Sequence, residues 1–448
     1  MLPKEDAVFA AAPCRIEVVD KDCGWPVPLV ELQTLHDVRF VTDNTGLIAF
    51  DLPELMGKET WFEVKGQGYQ IKKDGFGYSG IRFTPMPGQV HRVEVERTII
   101  ARRLGRITGG GLFGESQKLG AEQTWQESGV LGSDSVQNAV YQGKLFWFWG
   151  DTTLPKYPLG IFDSTGATTS PQPLASFEPP LRLTLEYFRD KQGVPRGLAK
   201  MPGQGPTWLS ACVSLPDAQG REHLVATYVK DQGFVHVYRQ GLAVWDDATE
   251  SFKLLRLLWE ESTAAPHPPV APDGHAVKYT DPAGKSWVLF CNPFPIMRCA
   301  ATFEAWQDSH AWEALTPQKI LRAAGTGEEV RAHSGSMAWN PWRKRWVTVF
   351  VQDSGKPSPL GEVWYAEARA PTGPWGPAIK ILTHDNYTFY NPSLHPELTP
   401  ENSPILLFEG TYSGDFARNP PRTPRYDYNQ ILYRLDLDDP RLGAAHEK

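Results

Sequence analysis

The stretch GKLFWFWGD at residues 143–151 decides the fold, because its pattern recurs four more times along the chain. Each time a turn is followed by a strongly apolar strand, in the segments GREHLVATY (220–228), GKSWVLFCN (284–292), KRWVTVFVQ (344–352) and SPILLFEGT (403–411). The aromatic anchors of these strands recur every 58 to 79 residues and are Trp149, Tyr228, Phe290, Phe350 and Phe408. A period of about 60 residues with several strands per repeat is typical of a β-propeller with long loops. The repeat therefore predicts a five-bladed β-propeller over residues 105–440.

The composition supports an all-β class. The 448 residues include 16 Trp, 15 Tyr and 21 Phe beside 40 Gly and 39 Pro. Proline at this frequency breaks helices and interior strands, so many short strands joined by turns are expected and a helical bundle is excluded. Two stacked sandwiches are the alternative architecture for the repeats, but the regular period argues against them.

Charge and hydropathy exclude several partners. The formal net charge is −7 and no basic stripe is present, which argues against nucleic acid. The sequence contains no run of about 18 apolar residues, which is the length needed to span a membrane. No signal peptide is visible at the start of the sequence, although the expected location is periplasmic or secreted. Cysteines form no CxxC motif, so they are expected either as buried thiols or as two local disulfides, Cys14 with Cys23 and Cys291 with Cys299.

The first hundred residues are predicted to form a separate unit. Residues 14–98 alternate apolar and polar side chains in short runs between turns, which predicts a β-sandwich of about seven strands over residues 1–100. The segments VVDKDCGWPVPLVELQT (18–34), FVTDNTGLIAFDLP (40–53) and VKGQGYQI (64–71) resemble the transthyretin-like sandwich that occurs as the carboxypeptidase regulatory domain. This resemblance implies a structural or packing module, with carbohydrate binding as the alternative.

A second set of segments precedes the aromatic strands and is expected to line the propeller channel. These segments are SDSVQNAVY (133–141), GPTWLSACV (205–213), DGHAVKYT (273–280), AHSGSMAW (332–339) and FYNPSLHP (389–396). Because the first strand of each blade lies next to the axis, their leading residues are expected to converge on one polar, aromatic-walled pocket that suits a sugar. The residues predicted to bind substrate are Trp208, His275, His333, Tyr390, Asn391 and, from the loop before blade four, Arg331.

Three carboxylates are the candidate catalytic groups. Asp134 opens the first strand of blade one, and Asp151 leaves a buried aromatic strand at a glycine. Glu409 lies within an apolar strand, at a position that we align with Gly150 and Asp151. Burial or a like charge raises a carboxyl pKa, and acid–base catalysis needs two carboxyls with different pKa values. The alternatives are a turn role for Asp151 and, for Glu409, an ion pair with an arginine such as Arg418 or Arg425.

Two phrases in the repeats resemble a known enzyme group. LFWFWGDT (145–152) is similar to the "FGDT" signature of a domain family that includes endo-D-arabinanases, and VWYAEARAPTGPWGP (363–377) resembles a blade motif of five-bladed propeller glycoside hydrolases. The resemblance implies that Asp134 acts as base or nucleophile and that Asp151 is the Asp of the GDT motif. The family's general acid is a Glu that no motif of this chain matches, so Glu409 is assigned to that role by its strand position alone.

The leading hypothesis is therefore glycosidic bond hydrolysis by carboxylate acid–base catalysis. The expected partner is a poly- or oligosaccharide, with no cofactor, metal, nucleic acid or membrane, and the oligomeric state is left open. A non-catalytic glycan-binding propeller is the first alternative. The second is a polysaccharide lyase, in which His333 or Tyr390 would abstract a proton and Arg331 or Arg298 would neutralise a uronate.

Overall fold

The computed structural model describes residues 12–233, 235–418 and 420–446. Strands account for nearly all of its regular structure, as the all-β prediction requires. None of the helices in these ranges is long and apolar enough to cross a bilayer. The chain divides into two compact units: unit 1 contains the residues up to Thr98 together with Gly111–Gln126 and Glu178–Leu181, and unit 2 contains the remainder.

Unit 1 is built on eight strands that are hydrogen-bonded into one connected sheet. Seven of them follow the order β3-β2-β5-β6-β8-β1-β4, and β7 pairs with β5. The strands are β1 Cys14–Asp20, β2 Val30–Thr34, β3 Arg39–Val41, β4 Leu47–Phe50, β5 Thr60–Gly66, β6 Tyr69–Gln70, β7 Gly80–Phe83 and β8 Val90–Arg97. The alternation seen in the sequence is a burial alternation, since Ile16, Phe62 and Val64 point into the core while their neighbours are partly exposed.

The TDNTG phrase of unit 1 is a turn that also anchors a short helix, α1 (Gly114–Lys118). Asp43 Oδ1 accepts the Thr45 N–H at 2.9 Å inside the turn, and Gly46 has a φ of 73°. Asp43 Oδ2 accepts both the backbone N–H and the hydroxyl of Ser116, each at 2.7 Å. Glu115 Oε2 accepts the Ala49 N–H of β4 at 3.0 Å. Residues 111–126 therefore belong to unit 1 through specific hydrogen bonds, which the sequence pattern does not reveal.

Unit 2 contains five antiparallel sheets, which we number 1 to 5 along the chain. Sheet 1 has the order β11-β12-β15-β16, sheet 2 β17-β18-β19-β20, sheet 3 β21-β22-β23-β24, sheet 4 β25-β26-β27-β28-β29 and sheet 5 β30-β31-β32-β9. A smaller sheet has the order β10-β13-β14. The bounds in the first half of the unit are β9 Arg102–Arg106, β10 Gly132–Ser133, β11 Val136–Tyr141, β12 Lys144–Trp149, β13 Thr152–Leu154, β14 Tyr157–Ile161, β15 Thr165–Thr169, β16 Glu186–Tyr187, β17 Thr207–Pro216, β18 Glu222–Asp231, β19 Val237–Asp246 and β20 Ser251–Glu260.

The second half of unit 2 continues the same pattern. Its elements are β21 His275–Thr280, β22 Ser286–Cys291, β23 Pro295–Ala300, α2 Phe303–Gln307, β24 Glu313–Ala314, β25 Ile320–Arg322, β26 Glu329–Asn340, β27 Arg345–Gln352, β28 Val363–Ala368, β29 Ile379–Leu382, β30 Thr388–Leu394, β31 Ile405–Ser413 and β32 Asn429–Asp436. Three 3₁₀ helices complete the described chain, at Ser309–Ala311, Pro396–Leu398 and Pro440–His446. The five predicted aromatic strands are β12, β18, β22, β27 and β31, and each pairs with the strand before it, so the predicted repeat of strands is confirmed.

The strands β11, β17, β21, β26 and β30, which we call the inner strands, are neighbours in cyclic order. Each contacts the next, and β30 contacts β11. The strand β9 from the start of unit 2 pairs with β32 and completes sheet 5, with Arg106 opposite Ile431. Hydrogen bonds cross between neighbouring sheets at one level: Asn391 Nδ2 donates to Ser135 Oγ at 2.6 Å, and the Gly335 N–H donates to Asn292 Oδ1 at 3.2 Å.

The phrase FWFW packs sheet 1 between its two neighbours. Alternate side chains of β12 point to opposite faces, and Phe146 contacts Trp245 of sheet 2 with ring centroids 5.5 Å apart. On the other face Trp147 packs on His395, beside sheet 5, at 4.9 Å. The strand is apolar on both faces because both are covered, which explains its continuous aromatic run.

Candidate active site

A cavity of about 960 Å³ lies within unit 2 and is lined by residues of all five sheets and their loops. Seven of the nine predicted site residues line it: Asp134, Asp151, Trp208, His275, His333, Tyr390 and Asn391. Two do not, Glu409 and Arg331. The structure therefore brings together residues up to 257 positions apart in the sequence, as the convergence of the inner strands requires.

Each inner strand, or the turn leading into it, contributes a polar residue to the lining of the cavity beside an irregular point of the backbone. The set is Asp134, Ser210, Asp273, His333 and Tyr390. Each lies next to an irregular point of the backbone, within or just before its strand. Ser135, Ala211, Gly274 and Asn391 have φ values of 40°, 55°, 79° and 49°, and the pairing of β26 shifts between Ala332 and Ser334. Bulges re-aim side chains and are common next to active sites. The sequence predictions missed Ser210 and Asp273, because the alternation of a strand reveals neither a bulge, as after Ser210, nor a left-handed residue before the strand, as at Gly274.

Asp134 is held by two tyrosines and lies next to a second carboxylate. Tyr390 donates its hydroxyl to Asp134 Oδ2 at 3.1 Å, and the Tyr428 hydroxyl also donates to this carboxylate. Both hydrogen bonds favour the charged form, yet burial and the negative charge of Asp151 outweigh them. The pKa of Asp134 is therefore raised from 3.8 to about 7, which keeps this carboxyl largely protonated below neutral pH.

Asp151 occupies a similar environment with a different hydrogen-bond partner. The Trp208 indole N–H donates to Asp151 Oδ1 at 3.3 Å. Burial raises the pKa of Asp151 to about 6, although the Trp208 hydrogen bond lowers it, and the charges of Asp231 and Asp163 raise it further. Both neighbouring carboxyls therefore have pKa values raised to near neutral pH.

The GDT motif positions these carboxyls through three separate contacts. A Cβ at Gly150 would lie 2.3 Å from Asp134 Oδ1, so only glycine allows the close approach of Asp134. The backbone is also paired there, with the Gly150 N–H donating to the Asp134 carbonyl at 2.9 Å. Thr152 is buried, and its Oγ1 lies 3.1 Å from Ser133 Oγ and 2.6 Å from Thr165 Oγ1. Gly150 leaves room for the Asp134 carboxylate, and Asp151 lines the cavity. Thr152 holds the following strand in place through its contacts with Ser133 and Thr165.

The two predicted histidines differ in their surroundings. Burial, with a smaller contribution from the charge of His395, lowers the pKa of His275 to about 4, so its ring is neutral at pH 7. His333 is exposed, and its Nδ1 lies 3.2 Å from Ser334 Oγ. Both rings can hydrogen-bond a sugar hydroxyl. Within the described parts of the chain no group of three or more His, Cys, Asp or Glu side chains could hold a metal ion.

Glu409 lies outside the cavity, which corrects its expected place beside Asp134 and Asp151. It is fully buried in β31, and its Oε1 is 2.8 Å from His395 Nε2. The partner is a histidine and not an arginine. The strand register explains the error: Thr411 pairs with Tyr390, at the level where Asp151 approaches Asp134, and Glu409 lies two residues earlier. Two residues of a strand displace a side chain by about 7 Å on the same face, here into the protein interior.

Arg331 is exposed and pairs through its backbone with Ile320 of β25, away from the cavity. This corrects its expected place as a substrate-binding residue. Arg298, which the lyase hypothesis also needs, bonds Glu313 and Tyr279 instead. The described residues that line the cavity include no lysine or arginine and five aspartates, Asp134, Asp151, Asp231, Asp273 and Asp415.

The sequence predictions also missed four lining residues from loops and strand ends. Tyr428 and Phe416 come from the chain between β31 and β32, and Asp415 lies beside Phe416. Asp231 ends β18 and is 2% exposed, and its Oδ2 has no hydrogen-bond partner among the described residues. The sequence did contain a signal for Asp231, because this carboxylate ends the strand that begins within the repeat phrase GREHLVATY. Loop residues such as Phe416 follow no period and left no such signal.

No family model and no curated protein matches the chain. Solved structures with similarity include an exo-1,5-alpha-L-arabinanase from a bovine ruminal metagenomic library, which is 11% identical over 69% of this chain and 95% of that chain, with a TM-score of 0.39. An alpha-L-arabinanase mutant of Cellvibrio cellulosa is 11% identical over 68% and 92%, with a TM-score of 0.40. An exo-beta-1,3-galactanase from Phanerochaete chrysosporium is 10% identical over 69% and 61%, with a TM-score of 0.41. These similarities do not identify a substrate for this chain.

Proposed function

We propose that unit 2 is a five-bladed β-propeller and that the sheet of residues 14–97 is a transthyretin-like sandwich. Three observations support the propeller: the five sheets have four or five strands each, the inner strands are adjacent in cyclic order, and β9 pairs with β32. Closure by a strand from the other end of the unit removes the sheet edges that an open array would expose. The proposed domains follow the predicted boundaries, 1–100 and 105–440, except that residues 111–126 and 178–181 pack with the first.

We further propose that unit 2 is a glycoside hydrolase acting on a poly- or oligosaccharide. The observation that carries the proposal is the pair Asp134 and Asp151, with pKa values of about 7 and about 6, in one cavity walled by Trp208, Tyr390 and Tyr428. Glycosidic cleavage needs one carboxylic acid and one carboxylate on either side of the scissile bond. Between the two pKa values this pair holds one proton, which supplies both forms at once.

The roles follow from where the proton resides. Asp134 has the higher pKa, so we assign it as the general acid that protonates the leaving oxygen. Asp151 is ionised in the same range and acts as the base or nucleophile. This reverses the order that the family resemblance implies for Asp134, and it removes the need for Glu409. The neutral ring of His275 would hydrogen-bond sugar hydroxyls together with the side chains of His333 and Asn391.

The charge of the cavity argues against the lyase alternative. A lyase that acts on a uronate needs a cationic side chain beside the substrate carboxylate, whereas the described lining has five aspartates and no lysine or arginine. The proposed substrate is therefore an uncharged glycan. A polymeric substrate of this kind would place the protein in the periplasm or outside the cell.

The test is a screen of neutral plant, algal and bacterial polysaccharides for newly formed reducing ends. Wild-type protein should release them, and the double variant Asp134→Asn/Asp151→Asn should not. Release at the wild-type rate by the double variant would overturn the assignment. Binding of a glycan without cleavage would support the non-catalytic alternative, and an unsaturated product that absorbs in the ultraviolet would support a lyase.

A further inference from the structure

Phe416 combines two features that are both unfavourable for folding. Its side chain is 55% exposed, and its backbone has a φ of 57°. A bulky residue in the left-handed region is strained, and strain of this kind persists where the surroundings impose it, often at ligand sites. Phe416 also lines the cavity. An exposed aromatic ring held by a strained backbone at the cavity suggests a ligand-binding role.

The ring of Phe416 is oriented by a neighbour from the site. It stands perpendicular to Tyr390, with centroids 5.7 Å apart and an interplanar angle of 86°. Tyr390 in turn donates to Asp134. The perpendicular contact uses an edge or one face of a ring and leaves apolar surface of Phe416 open to a ligand, within reach of a sugar bound at the carboxylates.

The chain around Phe416 is fixed by a network centred on Arg422. Its Nη2 is 3.1 Å from Asp415 Oδ1, beside Phe416, and its Nη1 is 2.8 Å from Asp427 Oδ2, beside Tyr428. Asp427 Oδ1 also accepts the Gly414 N–H and the Tyr387 hydroxyl, each at 2.6 Å. Arg422 thus bridges the two ends of the β31–β32 connection, one carrying Phe416 and the other the Tyr428 donor to Asp134.

We infer that Phe416 is the stacking platform of a sugar subsite at the cavity, and that Arg422 is a positioning residue that holds it there. The ligand class is a sugar ring with an exposed C–H face, next to the sugar that carries the scissile bond. The inference rests on the proposed hydrolase function for the identity of the ligand. It differs from that function in concerning residues that take no part in proton transfer.

The test compares Phe416→Ala, Phe416→Tyr, Arg422→Gln and Arg422→Lys with wild type. The probes are the neutral oligosaccharide series of the screen, from disaccharide to hexasaccharide, assayed for both cleavage and equilibrium binding. Phe416→Ala should raise KM for the longer members about 10-fold, with kcat and the shortest cleaved member little changed, because the longer members alone lose the apolar face on which a sugar ring stacks. Phe416→Tyr should restore binding.

Arg422→Gln should raise the same KM about 3-fold, as expected for an exposed ion pair, and Arg422→Lys should recover part of the loss. The matched control is Arg322→Gln, which removes a similarly exposed arginine from Glu329 outside the cavity and should change nothing. An equal loss on short and long substrates, or no recovery in Phe416→Tyr, would indicate a structural role and overturn the subsite.

The outcomes separate the two proposals. If wild type cleaves the oligosaccharides and Phe416→Ala leaves KM unchanged, the subsite proposal is wrong and the hydrolase proposal is retained. Binding without cleavage that weakens in Phe416→Ala overturns the hydrolase and leaves the subsite standing. If wild type neither binds nor cleaves any member of the series, both are wrong.

Discussion

Two pairs of ionisable groups in unit 2 each contain a carboxyl with a raised pKa, but their surroundings differ. Asp134 with Asp151 and Glu409 with His395 both lie at the pairing of an inner strand with its aromatic neighbour. Burial raises the carboxyl pKa in both. The aspartates line the cavity, whereas Glu409 and His395 are sealed, each 0% exposed.

The comparison shows that a raised pKa does not by itself mark a catalytic group. Glu409 has a histidine partner that lowers the cost of burial, and no route for a substrate to reach it. The aspartates have a like-charged neighbour and hydrogen-bond donors from residues that also contact the cavity. Access and like-charge pairing, rather than burial, distinguish the candidate active site. Five substitutions, three of them with a matched control, sharpen or break this distinction.

The largest effect is expected for Asp134→Asn. Loss of the general acid should lower kcat about 10⁴-fold, at the upper end of what one acid–base group contributes. Burial raises the pKa of Asp134 from 3.8 to about 7, so ionisation of this residue destabilises the folded state as pH rises through that range. The variant should therefore melt no lower than wild type at pH 7, as measured by calorimetry.

Asp273→Asn is the matched control for that experiment. Asp273 reaches the cavity from the equivalent point in sheet 3 and accepts the Ser210 hydroxyl at 2.6 Å. Its replacement should cost less than about 10-fold in kcat, as for a residue that contributes only hydrogen bonding. Equal losses in the two variants would break the assignment of the aspartate pair.

Glu409→Ala should affect stability and not catalysis. Removing one member of a buried pair leaves His395 without its partner, which should lower the free energy of unfolding by about 4 kcal/mol. Below the unfolding transition, kcat/KM should stay near the wild-type value. Denaturant titration and initial rates measure the two quantities. A folded but inactive Glu409→Ala protein would show that the sealed pair takes part in the chemistry.

Glu367→Ala provides a matched stability control, because Glu367 is also a buried carboxylate, bonded to Arg343 at 2.8 Å and to Tyr365 at 2.7 Å. It lies outside the cavity lining. A comparable loss of stability with unchanged kcat/KM is expected, which would place Glu409 in the same class of structural pairs.

How far the sequence predicts this molecule depends on whether a feature is periodic. The five aromatic strands and the approach of Asp134 to Asp151 follow from a repeat that burial imposes on every sheet. Glu409 was misplaced because no periodic signal shows that Tyr390 pairs with Thr411, two residues beyond Glu409. Asp273 was missed because it lies before β21, next to Gly274, whose left-handed φ of 79° leaves no periodic signal either. Phe416 and Tyr428 lie on a connection whose path depends on Arg422 and Asp427, contacts made only in the folded chain.

Gly150→Ala tests the geometry of the aspartate pair without removing a charge. Gly150 lies outside the left-handed region, so alanine introduces only a Cβ, placed 2.3 Å from Asp134 Oδ1. Displacing Asp134 by about 1 Å should lower kcat about 100-fold. Gly443→Ala, where a Cβ meets nothing within 4 Å, is the control. Wild-type activity in Gly150→Ala would mean that the position of Asp134 does not matter.

The smallest effects are shifts in the pH profile, and they distinguish the two aspartates from each other. Catalysis needs Asp151 ionised and Asp134 protonated, so kcat/KM should rise with pH through the pKa of Asp151, about 6, and fall through that of Asp134, about 7. Trp208→Phe removes a donor that stabilises ionised Asp151, so its pKa rises and the acidic limb moves to higher pH.

Tyr390→Phe removes a donor that stabilises ionised Asp134, so the alkaline limb moves to higher pH instead. Each shift should be about 0.5 to 1 pH unit, since one such hydrogen bond contributes about 1 kcal/mol. One substitution therefore narrows the profile and the other widens it, as initial rates from about pH 4 to about pH 9 would show. If Trp208→Phe moved the alkaline limb and Tyr390→Phe moved the acidic limb, the proton would belong to Asp151 and the roles of acid and base would be exchanged. If neither substitution moved a limb, the pH profile would report groups other than Asp134 and Asp151. The aspartate pair would then have no more claim to a catalytic role than the sealed Glu409.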